Sequence, residues 1–305
     1  MAKRSILHMF DPMPQNSPFD VNMALDAGFD MLVPYNNVRL DSIHRLVQDA
    51  IFSRGPSGVR KTAIFIGGRD LNLAMNMLNS SKLAMVPPFE ISVFADPSGA
   101  FTTAAALVAL VEKQLQEKHS KQLKDCKAVV FGGTGPVGVA TGVIASLAGA
   151  DTVIVDHLSL GAATDLADEF NRLCGSSLTG AVASSDQQKT DLISDADIIF
   201  CTAKAGIQVL SPDVLKTAKQ LKVAGDVNAV PPPGIAGIKA KDQGEPLIHA
   251  ADSSSAVGVG PLAVGNIKYQ LQHGLLKSLL KRETEQDKPV YLDFREAFTF
   301  ARSIV

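Results

Sequence analysis

Cysteine is scarce: the 305 residues hold three, Cys126, Cys174 and Cys201. They are too few and too scattered for a disulfide framework or a zinc site. Neither sign of charge is in excess. With 29 basic against 31 acidic side chains, nothing in the electrostatics favours nucleic acid or an anionic membrane. No segment has the apolar length needed to cross a bilayer. The opening run Ala2–Phe10 is basic and then apolar, but its apolar part is too short for a signal peptide. Internal repeats and low-complexity tracts are missing as well. What remains is a globular chain, 46% apolar and 20% charged, expected in the cytoplasm and long enough for two domains with separate cores.

Strand-like and helix-like segments alternate through the first hundred residues. Ser5–Phe10, Met31–Pro34, Thr62–Gly67 and Ile91–Ala95 read as strands, and the segments starting at Ser17, Leu40 and Asp70 read as helices. This alternation predicts a mostly parallel α/β sheet. Ser17, Pro18 and Asp20 fit the N-cap, N1 and N3 positions of a capped helix. A long helix then opens after Asp96 and runs to about His119; Ala104–Val111 is apolar on every face and predicts burial on all sides. Such a helix suits a connector between domains. Further on, Asp197–Thr202 and Leu221–Gly225 read as strands ending in polar or glycine-rich turns. Val257–Pro261 reads as a glycine-rich turn before another helix, and Asp293-Phe-Arg-Glu296 resembles a capping box. The tail is expected to return to the first domain.

The most informative stretch is Ala128-Val-Val-Phe-Gly-Gly-Thr-Gly-Pro-Val-Gly138. It predicts a buried strand, a tight glycine turn and a helix. Gly133, Gly135 and Gly138 fill a G-x-G-x-x-G fingerprint, with Thr134 between the first two glycines. Pro136 suits the first helical turn, and Val137 follows it. The exposed amides and the helix dipole there favour a pyrophosphate. The next strand, Thr152–Asp156, ends in an acid about 20 residues downstream, where the ribose 2′-hydroxyl of NAD is expected. Asp156 is followed by His157, Leu158 and Ser159, with no arginine or lysine to pair a 2′-phosphate. NAD is therefore favoured, with NADP tolerated through His157. The strand-end turns carrying Ala203, Lys204, Asp226 and Asn228 are expected to line the same crevice. An Asx turn before Pro231–Pro233 is the plainer alternative for Asp226 and Asn228.

Several segments together resemble the bacterial NAD(P)-dependent methylene-tetrahydromethanopterin dehydrogenases of methylotrophs, especially the dehydrogenase B type. They are Ser17-Pro-Phe-Asp-Val-Asn22, Thr62-Ala-Ile-Phe-Ile-Gly-Gly68, Phe94-Ala-Asp-Pro-Ser-Gly99 with Thr102-Thr103, and the fingerprint. Asp226–Gly237, Gly258-Val-Gly260 and Gly265-Asn-Ile-Lys268 complete the set. The resemblance implies a pterin-binding (substrate) domain over 1–120 plus 266–305. It implies a Rossmann-like NAD(P)-binding domain over 121–265, a cleft between the two, and a cytoplasmic homo-oligomer acting in formaldehyde oxidation.

It further implies that Asp20, Asp96, Thr102, Thr103, Asn266 and Lys268 border the pterin, that Lys268 orients it, and that Val259 borders the cofactor. Asp20 and Asp96 also have plain roles as helix caps, and Lys268 as an ordinary lysine extended over apolar neighbours. The implied reaction moves a hydride from 5,10-methylene-tetrahydromethanopterin to the nicotinamide, with no metal and no general base. The missing Ser/His/Asp arrangement is consistent with that chemistry, and the dispersed His8, His44, His119, His249 and His273 receive no role. Two alternatives stay open: a methylene-tetrahydrofolate dehydrogenase, and a non-catalytic NAD-responsive binding protein.

Overall fold

The computed structural model describes residues 3–251, 255–282, 284 and 286–305. The first elements are β1 (Ile6–Phe10), α1 (Pro18–Asp26), β2 (Met31–Tyr35), α2 (Ile43–Phe52), α3 (Pro56–Val59), β3 (Thr62–Ile66), α4 (Leu71–Leu83) and β4 (Ser92–Ala95). Next come α5 (Ala100–His119), β5 (Lys127–Phe131), α6 (Pro136–Leu147), β6 (Asp151–Asp156), α7 (Leu160–Cys174), β7 (Leu178–Val182), α8 (Asp186–Ile193) and β8 (Ile198–Cys201). The last are α9 (Pro212–Leu215), β9 (Val223–Asp226), β10 (Gln243–Pro246), β11 (Val257–Val259), α10 (Pro261–Ser278), β12 (Tyr291–Leu292) and α11 (Phe294–Ile304). Among the described residues, no helix is long and apolar enough to cross a membrane.

Contacts divide the chain into two units. The first is the chain up to Thr102 with Tyr269–Ala297, and the second is Thr103–Lys268 with Phe298–Val305. The first unit holds a five-stranded parallel sheet in the order β2-β1-β3-β4-β12. Its strand order reverses between β1 and β3, the kind of point where open α/β sheets form ligand crevices. β3 and β4 are buried at every position, as their unbroken apolar runs require of strands covered on both faces. Edge strand β2 is partly exposed and carries Pro34, which has no N–H to give to a ladder.

The second unit holds seven strands in the order β7-β6-β5-β8-β9-β11-β10. All neighbours run parallel except β10, which is antiparallel to β11. The order reverses between β5 and β8, so the carboxyl ends of these two strands face the expected cofactor position. Val129, Phe131, Ile199, Leu215 and Ile235 are among the side chains of the core on one side of this sheet.

Several expectations are corrected. Val257–Val259 is strand β11 rather than a turn. Its two valines are buried, and Gly258 leaves space that Ile238 nearly fills, with Cγ1 3.2 Å from where a Cβ would stand. Ser17 occupies the N-cap of α1 but its side chain makes no capping bond. The domain limits also differ. Ala104–Val111 is buried throughout, as expected, but Leu107 and Val111 pack on Gly225 of β9, which puts α5 from Thr103 onward in the second unit. Arg302 of α11 pairs with Glu112 of α5 through two bonds of 2.6 and 2.7 Å. The tail therefore divides, with Phe298–Val305 in the second unit. At its start, Asp293 and Glu296 form the expected cap: Glu296 accepts from the Asp293 amide at 2.9 Å.

Candidate functional site

β5 ends at Phe131 and the chain turns through Gly132-Gly133-Thr134-Gly135 into α6. The sharp turn falls at Gly132, whose φ of +70° suits glycine, rather than at Gly133 as the fingerprint suggested. A Cβ on Gly132 would stand 2.6 Å from the Ala203 amide nitrogen, so the turn packs against the end of β8. Gly133 packs against the next strand, where a Cβ would lie 2.7 Å from the Val155 amide nitrogen. At Gly138 a Cβ would run into the Gly132 carbonyl oxygen. Gly135 differs: within 4 Å its Cβ would meet the Gly132 carbonyl alone, at 3.4 Å. Pro136 takes the first helical position. Thr202 braces the turn by donating its hydroxyl to the carbonyls of Phe131 and Gly132 at 3.0 and 3.2 Å. Neither Gly132 nor Thr202 was singled out from sequence, although the paired glycines at 132–133 carried the signal for one of them.

Asp156 closes β6 beside this turn. Its Oδ2 accepts from the Thr134 hydroxyl at 2.7 Å, and its Oδ1 accepts from the Leu158 and Ser159 amides at 2.8 and 2.9 Å. Partial burial opposes ionisation, but the Thr134 hydroxyl and the two amides outweigh it. They hold the carboxyl below the usual carboxylate range. Ser159 then caps α7 by accepting from the Ala162 amide. His157 and Leu158 are exposed.

Asp226 and Asn228 act as braces within their loop. Asp226 is fully buried, accepting from the Asn228 amide at 2.9 Å and the Ile235 amide at 3.1 Å. This is the Asx geometry that was the plainer alternative. Burial pushes its carboxyl up, against the pull of the Asn228, Ile235 and Gly234 amides. Asn228 accepts from the Gly206 and Val230 amides and donates to the Pro232 carbonyl. These side chains hold the loop in shape instead of projecting toward a ligand. Val259 is likewise fully buried, which turns its side chain to the core. Ala203 is half-buried and Lys204 exposed at the end of β8.

In the first unit, Asp20 is buried and accepts from the Gln272 side-chain amide at 2.7 Å. Gln272, four residues beyond Lys268 on α10, was not recognised from sequence. Asp96 is buried and caps α5, taking the Phe101 and Thr102 amides on Oδ1 and the Thr102 hydroxyl on Oδ2 at 2.6 Å. Thr102 is fully buried and Thr103 half-buried. Asp11 stands at the strand-order reversal, packed so close that a Cβ on Gly67 would lie 2.7 Å from its Oδ2. On α10, Asn266 is exposed and Lys268 half-buried. Lys268 is the eighth residue of the helix, beyond the first turn where the dipole acts strongly.

Comparison with known proteins identifies the company this site keeps. Residues 18–98 match the family described as methylene-tetrahydromethanopterin dehydrogenase, N-terminal. The chain is 44% identical over 301 residues, covering 99% of each chain, to the NAD(P)-dependent methylenetetrahydromethanopterin dehydrogenase of Methylorubrum extorquens. It is 31% identical over 281 residues to the bifunctional protein MdtA of the same organism, covering 92% of this chain and 93% of that one. In fold it is similar to shikimate 5-dehydrogenase from Listeria monocytogenes, solved with shikimate and NAD. The TM-score is 0.54 at 12% identity, with 97% of this chain and 96% of that one covered. A malic enzyme from Entamoeba histolytica gives a TM-score of 0.58 at 14% identity, with 98% of this chain and 62% of that one covered. These two likenesses concern the fold alone. With 44% identity along almost its whole length, the chain belongs to the family of NAD(P)-dependent methylenetetrahydromethanopterin dehydrogenases.

Proposed function

We propose that the protein oxidises 5,10-methylene-tetrahydromethanopterin to the methenyl form, with NAD as the preferred hydride acceptor and NADP as a weaker one. Family membership supports the substrate and the cofactor type. The observation that carries the cofactor choice is Asp156 at the end of β6, held by Thr134 of the glycine turn at 2.7 Å. An acid at this position accepts from ribose hydroxyls and repels a 2′-phosphate.

The residues present fit a dinucleotide. Gly135 leaves open the space a side chain would fill. Val137 and Gly138 lie in the first turn of α6, where amides lack intrahelical acceptors and the positive end of the dipole is presented. When bound, NAD supplies the acceptor for the hydride. The protein's part is to hold, orient and exclude water. The reacting methylene carbon lies between two nitrogens, so loss of hydride leaves a charge shared over N–C–N and no side chain takes a proton. Lys268, with its fixed positive charge, is assigned to orienting the pterin, not to acid–base chemistry. We assign Asp20, Thr103 and Asn266 to pterin contacts from the family resemblance, while Asp96 and Thr102 hold the start of α5 in position. We assign the enzyme to the cytoplasm and to a homo-oligomeric state.

The test is a spectrophotometric assay of methenyl formation from methylene-tetrahydromethanopterin, run separately with NAD and NADP and repeated with methylene-tetrahydrofolate. Turnover of the methanopterin substrate, faster with NAD, is expected. Reaction with the folate substrate alone would move the enzyme to folate metabolism. Dinucleotide binding without turnover of either pterin would make it a binding protein.

A further inference from the structure

The hydrogen bond from Thr134 to Asp156 joins two parts of a dinucleotide site that are 22 residues apart in sequence. Thr134 lies in the glycine turn, and Asp156 ends the neighbouring strand. A carboxylate has about four lone-pair positions. Three are filled from inside the protein: one by the Thr134 hydroxyl on Oδ2, and two by the Leu158 and Ser159 amides on Oδ1. The vacancy is on Oδ2, beside the threonine hydroxyl. A terminal carboxylate torsion is broad and roughly two-fold, so the two amides leave it less sharply defined than three donors do. The third donor comes from the segment whose backbone faces the pyrophosphate.

We propose that Thr134 is a positioning residue for cofactor choice: by bonding Asp156 Oδ2 it aims the one remaining acceptor at the ribose 2′-hydroxyl and fixes the carboxylate where a 2′-phosphate would fall. This rests on the reading of Asp156 as the ribose acid. The hydroxyl is the operative group. Valine matches threonine in shape and branching but lacks that group, and serine keeps it while losing a methyl.

The experiment measures kcat and KM for NAD and for NADP in full-length wild type, Thr134→Val and Thr134→Ser, with calorimetric binding of each dinucleotide in parallel. Thr134→Val is expected to lower the NAD-over-NADP ratio of kcat/KM by about tenfold, the scale of one hydrogen bond to a charged group. The change should fall on the KM for NAD, and Thr134→Ser should restore the wild-type ratio. Thr134→Ala makes the same comparison should the valine variant not fold. An unchanged ratio, or equal weakening of both cofactors without rescue by serine, would overturn the proposal and leave Thr134 as a brace of the turn. Wild type that neither binds nor uses either dinucleotide would instead remove the functional reading itself.

Discussion

Gln272 of α10 donates its side-chain amide to Asp20 Oδ1 of α1 at 2.7 Å, and both residues are buried. The bond ties the first turn of one helix to another 252 residues away in sequence. Replacing Gln272 by methionine keeps the length and removes one donor from a buried acid. The cost should be about 1–3 kcal/mol, read as a lower urea midpoint at constant slope. Gln272→Glu should be worse at neutral pH, where two carboxyls would share one site, and should recover as the pH falls and one of them takes a proton. An unchanged midpoint in Gln272→Met would remove this pair from the list of structural ties.

Two glycines of the same turn should respond differently to one added methyl. In Gly138→Ala the Cβ meets the Gly132 carbonyl, so the variant should melt at a lower temperature and lose both cofactors. In Gly135→Ala the tightest protein contact is 3.4 Å, so the fold should survive. On the proposed cofactor reading the methyl would stand where the pyrophosphate is expected, raising KM for NAD and NADP alike. Equal melting losses in the two variants would contradict the distinction.

Asp156→Ser removes the charge and keeps a hydroxyl. NAD should weaken relative to NADP in kcat/KM, by about tenfold or more. A preference equal to wild type would sink the ribose assignment.

Asp226 has the opposite electrostatic character, because burial raises its carboxyl above the ordinary value. The folded state then holds that proton more tightly than the unfolded one. Its contribution to stability is fullest below about pH 4, the unfolded value, and declines as the pH rises through the folded value. Asp226→Asn should abolish this slope, so the stability difference between wild type and variant should shrink as the pH rises from about 4. The variant should still be the less stable, by about 1–3 kcal/mol. Asparagine turns one acceptor into a donor facing the Asn228 or Ile235 amide. Urea titrations at successive pH values would expose a slope common to both proteins, which would exclude Asp226 as its source.

The parts of the fold legible in sequence are those whose causes are local. β3, β5, β6 and β8 are short apolar runs closed by glycine or a polar residue, and the glycine turn carries its own punctuation. β11 was not legible, because two of the residues 257–260 are glycines and the strand there is defined by its pairing with β9 and β10. β10 and β12 are short edge strands whose identity comes from their partners. The site divides along the same line. The place of Asp156 beside the glycine turn follows from its distance to the fingerprint, whereas the duties of Asp96, Thr102, Asp226 and Asn228 as braces depend on which backbone amides the folded chain brings to them. Gln272 had no local signal, since its partner lies near the other end of the chain.

β12 carries a consequence for how the protein is made. This two-residue strand completes the first sheet by pairing Tyr291 with Val93 and Leu292 with Phe94. During synthesis, β4 emerges almost two hundred residues before the strand that covers its edge. Until then Val93 and Phe94 lack the backbone partners that β12 supplies, so the nascent chain carries an unpaired strand edge while the whole second sheet is still being translated. A ribosome-bound chain halted after Thr102 should therefore engage chaperones and resist proteases poorly, and a chain extended past Leu292 should do neither. The first sheet, though most of it is translated before the second, is completed only after it.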